Sequence, residues 1–90
     1  MAEMREEIIV TNSLGLHARP AASVVQTALR YQSDVYVEMD SRRVNAKSIM
    51  GLLTLAAAQG TKLVVLANGP DAEEVLAALR ELFESGFGEP

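Results

Sequence analysis

The sequence predicts an α+β domain, with three helices packed on one face of a four-stranded sheet and the other face open to water. Three observations carry that expectation. Alternating or continuous apolar segments of strand length recur along the chain. Apolar stripes of helical period lie between and after them. Only short turns separate the elements, in the order strand, helix, strand, strand, helix, strand, helix. Periodicity supplies the elements but not the order of strands within the sheet.

The first strand reads as EEIIVTN, residues 6–12, ending in a turn. ARPAASVVQTALRYQ, residues 18–32, reads as a helix whose core face is Ala21, Val24, Val25, Ala28 and Leu29. Pro20 falls in its first turn, where a missing N–H costs nothing. DVYVEM, residues 34–39, alternates like a half-buried strand, with Val35, Val37 and Met39 on one side. DSRR can turn the chain into a short third strand, RVNA. KSIMGLLTLAAAQG reads as a second helix, with Ser48 at its N-cap, Leu52, Leu53 and Ala56 in the core, and Gly60 past its end. KLVVLAN, residues 62–68, is nearly all apolar, as a central strand should be. GPDAEEVLAALRELFES is the clearest helix: Asp71 and Glu74 form a capping-box-like pair, and Val75, Leu76, Leu79, Leu82 and Phe83 form the stripe. Its acidic residues Glu73, Glu74, Glu81 and Glu84 read as a solvated face.

Composition narrows the function classes. The 90 residues fit one domain, 1–90, without an internal repeat or linker. There is no cysteine, which excludes disulfides and thiolate chemistry and suits a reducing cytoplasm. The opening MAEMREEIIV lacks an apolar run of signal-peptide length, and nothing approaches a membrane span. A net charge of −4 and 4% aromatic residues argue against nucleic-acid binding. The single histidine has no carboxylates at ligand spacing, so neither a metal nor another cofactor is expected. The last residues, 86–90, have turn-like composition, read as a disordered tail, and carry no readable function.

That single histidine lies in GLHARPAA, residues 15–22. His17 stands at a helix entrance, where the first backbone N–H groups lack partners and carry the positive end of the helix dipole. Such an end binds anions, phosphate above all. The Arg19 guanidinium can grip the same anion in bidentate fashion. Positive surroundings disfavour a protonated imidazole, so the ring keeps a lone pair and can act as a nucleophile without a general base. Gly15 supplies a turn before it. Against this stands the bland alternative that a lone histidine near a helix start is only a cap or a packed side chain. A hydrolase has little to build on, with one histidine, no cysteine and no acid–base pair.

Two motifs in order, GLHARPAA and KSIMGLL, on a chain of this length resemble the histidine-containing phosphocarrier (HPr) family of the bacterial phosphoenolpyruvate-dependent sugar phosphotransferase system. The resemblance spans essentially the whole chain. It implies an open-faced β-sandwich: an antiparallel four-stranded sheet covered on one side by three helices. It implies that His17 accepts a phosphoryl group on Nδ1 from phosphorylated enzyme I and passes it to a sugar-specific enzyme IIA. Arg19 and the Ala18 and Arg19 N–H groups would hold the phosphoryl oxygens, and Pro20 would fix the helix entrance. Such a protein is a monomeric carrier, a substrate of two transfers rather than an enzyme. Lys47, Ile49 and Met50 would form a docking patch for several partners, a use that suits a flexible methionine.

Ser48 matches the family's regulatory serine, the target of an ATP-dependent HPr kinase/phosphorylase that feeds a catabolite-control regulator. A phosphate there would meet a helix N-terminus, which tolerates it, and would set about two negative charges beside the docking patch. Two alternatives remain at this level. One is a paralogue serving a nitrogen-related or catabolite-control branch, although the relative used purely for catabolite control lacks the active-site histidine. The other is an α+β interaction domain without covalent chemistry.

Overall fold

The computed structural model describes residues 3–89. Its elements are β1 (Met4–Ile9), α1 (Ala18–Leu29), β2 (Asp34–Met39), β3 (Arg42–Asn45), α2 (Ile49–Thr54), β4 (Lys62–Asn68) and α3 (Ala72–Glu84), followed by a 3₁₀ turn at Gly86–Gly88. The four strands form one antiparallel sheet in the order β1-β4-β2-β3. The near-continuous apolar segment is therefore interior, between β1 and β2, as its composition suggests. The strand order follows from topology: β1 and β2 run parallel with a gap that β4 fills, a split βαβ arrangement.

The register places Ile8, Leu63, Val65, Ala67, Val35 and Val37 on one face, buried against Val24, Ala28, Leu52, Val75, Leu79 and Phe83 of the helices. The other face carries Arg5, Glu7, Ile9, Glu38 and Arg43 into solvent, yet Leu66 on that face is fully buried. Leu66 stands between Arg5 of β1 and the half-buried Tyr36 of β2. Arg43 stacks over the Tyr36 ring and donates to Glu38 at 2.8 Å.

Several boundaries differ from the sequence expectation, each for a tertiary reason. β1 stops at Ile9, because Val10 pairs with Gly60 and Thr61 ahead of β4 and the chain then turns at Asn12. α1 ends at Leu29, which is 61% exposed rather than core. α2 is only six residues long and ends well before Gly60. Ala56 turns to a φ of 50°, and the Ala57 carbonyl accepts the Leu16 N–H at 2.8 Å. Leu52 and Leu55 are buried, but Leu53 and Ala56, expected in the core, are exposed.

Asp71 does not cap α3 with its side chain. Its carboxylate accepts the Gln32 and Ser33 N–H groups and the Ser33 hydroxyl, tying the start of α3 to the chain just beyond α1. These bonds, the Ser33 hydroxyl first and the Gln32 N–H next, hold the Asp71 carboxyl below its ordinary range.

In the stretch 86–90, whose composition reads as a disordered tail, Gly86–Gly88 form the 3₁₀ turn, and residue 90 lies outside the described residues. Phe87 packs edge-on against Phe83 with centroids 4.8 Å apart. Gly86, Phe87 and Gly88 all have positive φ. Glycine adopts that region freely, and the penalty at Phe87, about 1–2 kcal/mol, is of the size an aromatic pair plus burial can offset. No helix among the described residues is long and apolar enough to cross a membrane.

Candidate functional site

The site is built at the junction of three chain segments. Asn12 begins a tight turn, with the Gly15 N–H donating to the Asn12 carbonyl at 3.1 Å. Gly15 has a φ of 70°, and a Cβ there would lie 2.3 Å from the Ala57 carbonyl oxygen, so both conformation and space demand glycine. Leu16 is buried and locked to Ala57, which sets His17 as the N-cap residue of α1 in an extended conformation. The His17 carbonyl accepts the Ala21 N–H, as an N-cap carbonyl should. Its side chain makes no capping bond. The helix geometry thus leaves the Ala18 and Arg19 N–H groups without intrahelical partners, and Pro20 has no N–H to satisfy.

The imidazole is committed elsewhere. Nε2 lies 3.0 and 3.1 Å from the two carboxylate oxygens of Glu89, seventy-two residues along the chain. Glu89 Oε1 also accepts the Asn12 side-chain amide at 3.1 Å, and the same amide donates to the Gly15 carbonyl at 2.7 Å. The hydrogen bond from His17 is the main cause that holds the Glu89 carboxyl below the usual carboxylate range; burial opposes it, and Asn12 and the positive charge of Arg19 add to it. His17, Arg19, Glu89, Ser13 and Leu14 line one shallow cleft. A neutral ring that donates from Nε2 has its lone pair on Nδ1. An anion arriving there meets an uncapped helix N-terminus and a guanidinium.

His17, Ala18, Arg19 and Pro20 are therefore brought together at one helix start. Ser48, Lys47, Ile49 and Met50 belong to a second start, that of α2. Ser48 caps this helix, its hydroxyl accepting the Gly51 N–H at 3.1 Å. Lys47 Nζ donates to the Tyr31 carbonyl beyond the end of α1. Ile49 and Met50 are exposed, Met50 by 74%. Leu53 lies three and four residues beyond them on the same helical face, and it shares a second shallow cleft with Leu14, His17 and Ala56. The apolar surface thus runs from Ile49 and Met50 through Leu53 to Leu14, which is 73% exposed at the edge of the histidine cleft.

Sequence reasoning missed three of these residues. Helical spacing places Leu53 in the core, and Leu14 carries no signal. Glu89 falls in the stretch 86–90, whose composition carries no readable function. One clue was present for Glu89: Phe87 follows Phe83 by four residues and extends the apolar stripe of α3, so the end of the chain has an anchor.

Residues 4–85 match the family model described as PTS HPr component phosphorylation site. The chain is 50% identical over 86 residues to the phosphocarrier protein HPr of Xylella fastidiosa (strain 9a5c), covering 96% of this chain and 97% of that one. It is 47% identical over 76 residues to the HPr-like protein Crh of Bacillus subtilis, covering 84% and 89%. Among solved structures, HPr-C-His from Thermoanaerobacter tengcongensis superposes with a TM-score of 0.91 at 49% identity, covering 100% and 99% of the two chains.

Proposed function

The chain belongs to the HPr family of phosphotransferase-system phosphocarriers, and on that premise we propose that His17 accepts a phosphoryl group on Nδ1 from phosphorylated enzyme I and passes it to a sugar-specific enzyme IIA. The observation that carries this reading is the N-terminus of α1. His17 occupies the N-cap without capping it, so the dipole end and the Ala18 and Arg19 N–H groups stay available to the phosphoryl oxygens of the very residue that stands there. Arg19 supplies the matching charge, and Pro20 sets the helix entrance without competing for the anion. The chain works as a single carrier domain in the cytoplasm, monomeric, with no cofactor and no turnover of its own.

Lys47, Ile49 and Met50, extended by Leu53 and Leu14, form the surface on which enzyme I and enzyme IIA dock in turn. Ser48 is the regulatory position, modified by an HPr kinase/phosphorylase where that enzyme is present and read by a catabolite-control regulator. The likeness to Crh favours a second reading, service in a regulatory branch.

The test is phosphotransfer. The protein is incubated with enzyme I, magnesium and phosphoenolpyruvate, and the adduct is followed by intact mass, with His17→Ala beside it. An acid-labile adduct absent from the variant is the expected result. No adduct with the organism's own active enzyme I would overturn the carrier role. Onward transfer to an enzyme IIA separates transport from a regulatory branch.

A further inference from the structure

We infer that Glu89 is a positioning residue for His17, holding the ring as its Nε2–H tautomer so that Nδ1 presents the lone pair to the incoming phosphorus. The inference rests on the phosphocarrier reading and adds to it a residue from beyond position 85, where the match to the family model ends.

The contact is built, not incidental. Both carboxylate oxygens lie at hydrogen-bonding distance from one ring nitrogen. The Glu89 side chain is 10% exposed, against 37% for His17, so the acid is the more enclosed partner. Asn12, itself buried, grips Oε1 and is held in turn by the Gly15 carbonyl. The backbone delivers Glu89 through a short turn: the Gly88 N–H donates to Ser85 and the Glu89 N–H to Gly86 at 2.9 Å. Phe87 pins that turn to Phe83. A mobile surface acid would need none of this support.

The chemistry follows from which nitrogen is taken. A carboxylate only accepts, so the nitrogen facing it must carry the proton. The two ring nitrogens point in divergent directions within the ring plane, so a carboxylate at Nε2 leaves the approach to Nδ1 clear. In the forward step the Nδ1 lone pair forms the N–P bond. The bond from phosphorus to the donor atom breaks, and its electron pair returns to the donor. Nε2 keeps its proton throughout, so the phosphorylated ring carries a positive charge, and the Glu89 carboxylate already faces it. On transfer to the acceptor the N–P pair returns to Nδ1 and the ring is neutral again. Without Glu89 the proton is free to occupy Nδ1, and that fraction of the protein cannot react. Orienting carboxylates behind functional histidines act in the same way in metal sites, where their loss costs about 10- to 100-fold.

The experiment has two readouts on the full chain and on Glu89→Ala and Glu89→Gln. The first is the ¹⁵N spectrum of the neutral His17 ring, which needs no donor protein. Wild type should show the Nε2–H tautomer, and E89A should move to a mixture. E89Q should keep the wild-type tautomer, because the amide oxygen still accepts. The second is single-turnover phosphorylation by phosphorylated enzyme I. E89A should slow about 10-fold at saturating donor with an unchanged concentration dependence, and E89Q should lie between E89A and wild type. An E89A protein with the wild-type tautomer and rate overturns the inference while leaving the carrier role intact. So does an E89Q protein that keeps the tautomer yet is as slow as E89A. A wild-type protein that takes no phosphoryl group overturns the carrier role, and the spectrum still decides whether Glu89 sets the ring.

Discussion

The starts of α1 and α2 are two solutions to one problem. Each must deal with backbone N–H groups that the helix itself cannot satisfy. At α2, Ser48 closes the end with its own hydroxyl on the Gly51 N–H. At α1, His17 holds the same N-cap position, but its side chain turns to Glu89 and leaves the end open. The closed end stabilises a helix of six residues that would be marginal alone. The open end gives up that stabilisation in a helix of twelve residues with a long buried face, which can spare it. Ser48 thus closes the start of α2 with its own side chain, whereas His17 holds the N-cap of α1 without closing it. Asp71 at α3 is a third case, since its carboxylate leaves its own helix to hold Gln32 and Ser33.

The contrast predicts opposite phenotypes at the two ends. The largest effect is expected at His17. His17→Ala should abolish phosphoryl transfer yet lower the melting temperature only slightly, because no cap is lost and only the half-exposed contact with Glu89 goes; calorimetry beside the mass assay checks both. A large drop in melting temperature would make His17 structural and dissolve the contrast. Next is Arg19→Ala, which should slow phosphorylation roughly 10- to 100-fold by removing a charge aimed at the phosphoryl oxygens. Arg19→Lys should recover part of the rate, since a point charge replaces the fork. Single-turnover kinetics measures both variants, and an unaffected R19A rate would remove Arg19 from the site.

Ser48→Ala should behave in reverse. Loss of the cap costs about 1 kcal/mol, or roughly 4–8 °C in melting temperature for a domain of this size. The intrinsic phosphorylation of His17 should stay close to wild type. If S48A instead lost transfer and kept its stability, the two ends would have exchanged roles.

The smallest expected effect concerns the third helix start. The folded-state pKa of Asp71 lies below its unfolded value of about 3.9. Its contribution to stability is thus complete well above that value, and it is lost as pH falls through about 3.9 toward the lower folded pKa. Glu89 adds a contribution of the same sign. Urea midpoints measured from pH 6 down to pH 3 should fall with acid, and Asp71→Asn should flatten part of that slope. An identical slope in D71N would mean that the Ser33 and Gln32 bonds do not outlast solution averaging.

Local pattern carried most of the secondary structure. β2 and β4 fall where alternation and apolar content place them, because a strand writes its environment into every second residue. The His17–Pro20 and Ser48–Met50 stretches were legible for a similar reason: a helix start needs particular residue types at fixed short spacing. What local pattern misjudged depends on contacts between distant segments. The end of α2 depends on Leu16 claiming the Ala57 carbonyl, and Asp71 is drawn from its own helix by Ser33. The same helical spacing that correctly buries Leu52 wrongly buried Leu53, because a six-residue helix has only one covered side.

By itself, then, the sequence determined the α+β order and the family, and it singled out His17 and Arg19 as the proposed nucleophile and its arginine, because each of these is written in short local patterns. Only the tertiary structure decided the strand order, the exposed path from Met50 to Leu14, and the pairing of His17 with Glu89. Those depend on where chain segments up to seventy-two residues apart come to rest. Packing of Phe87 on Phe83 and closure of β4 between β1 and β2 set those distances, and no local spacing encodes them.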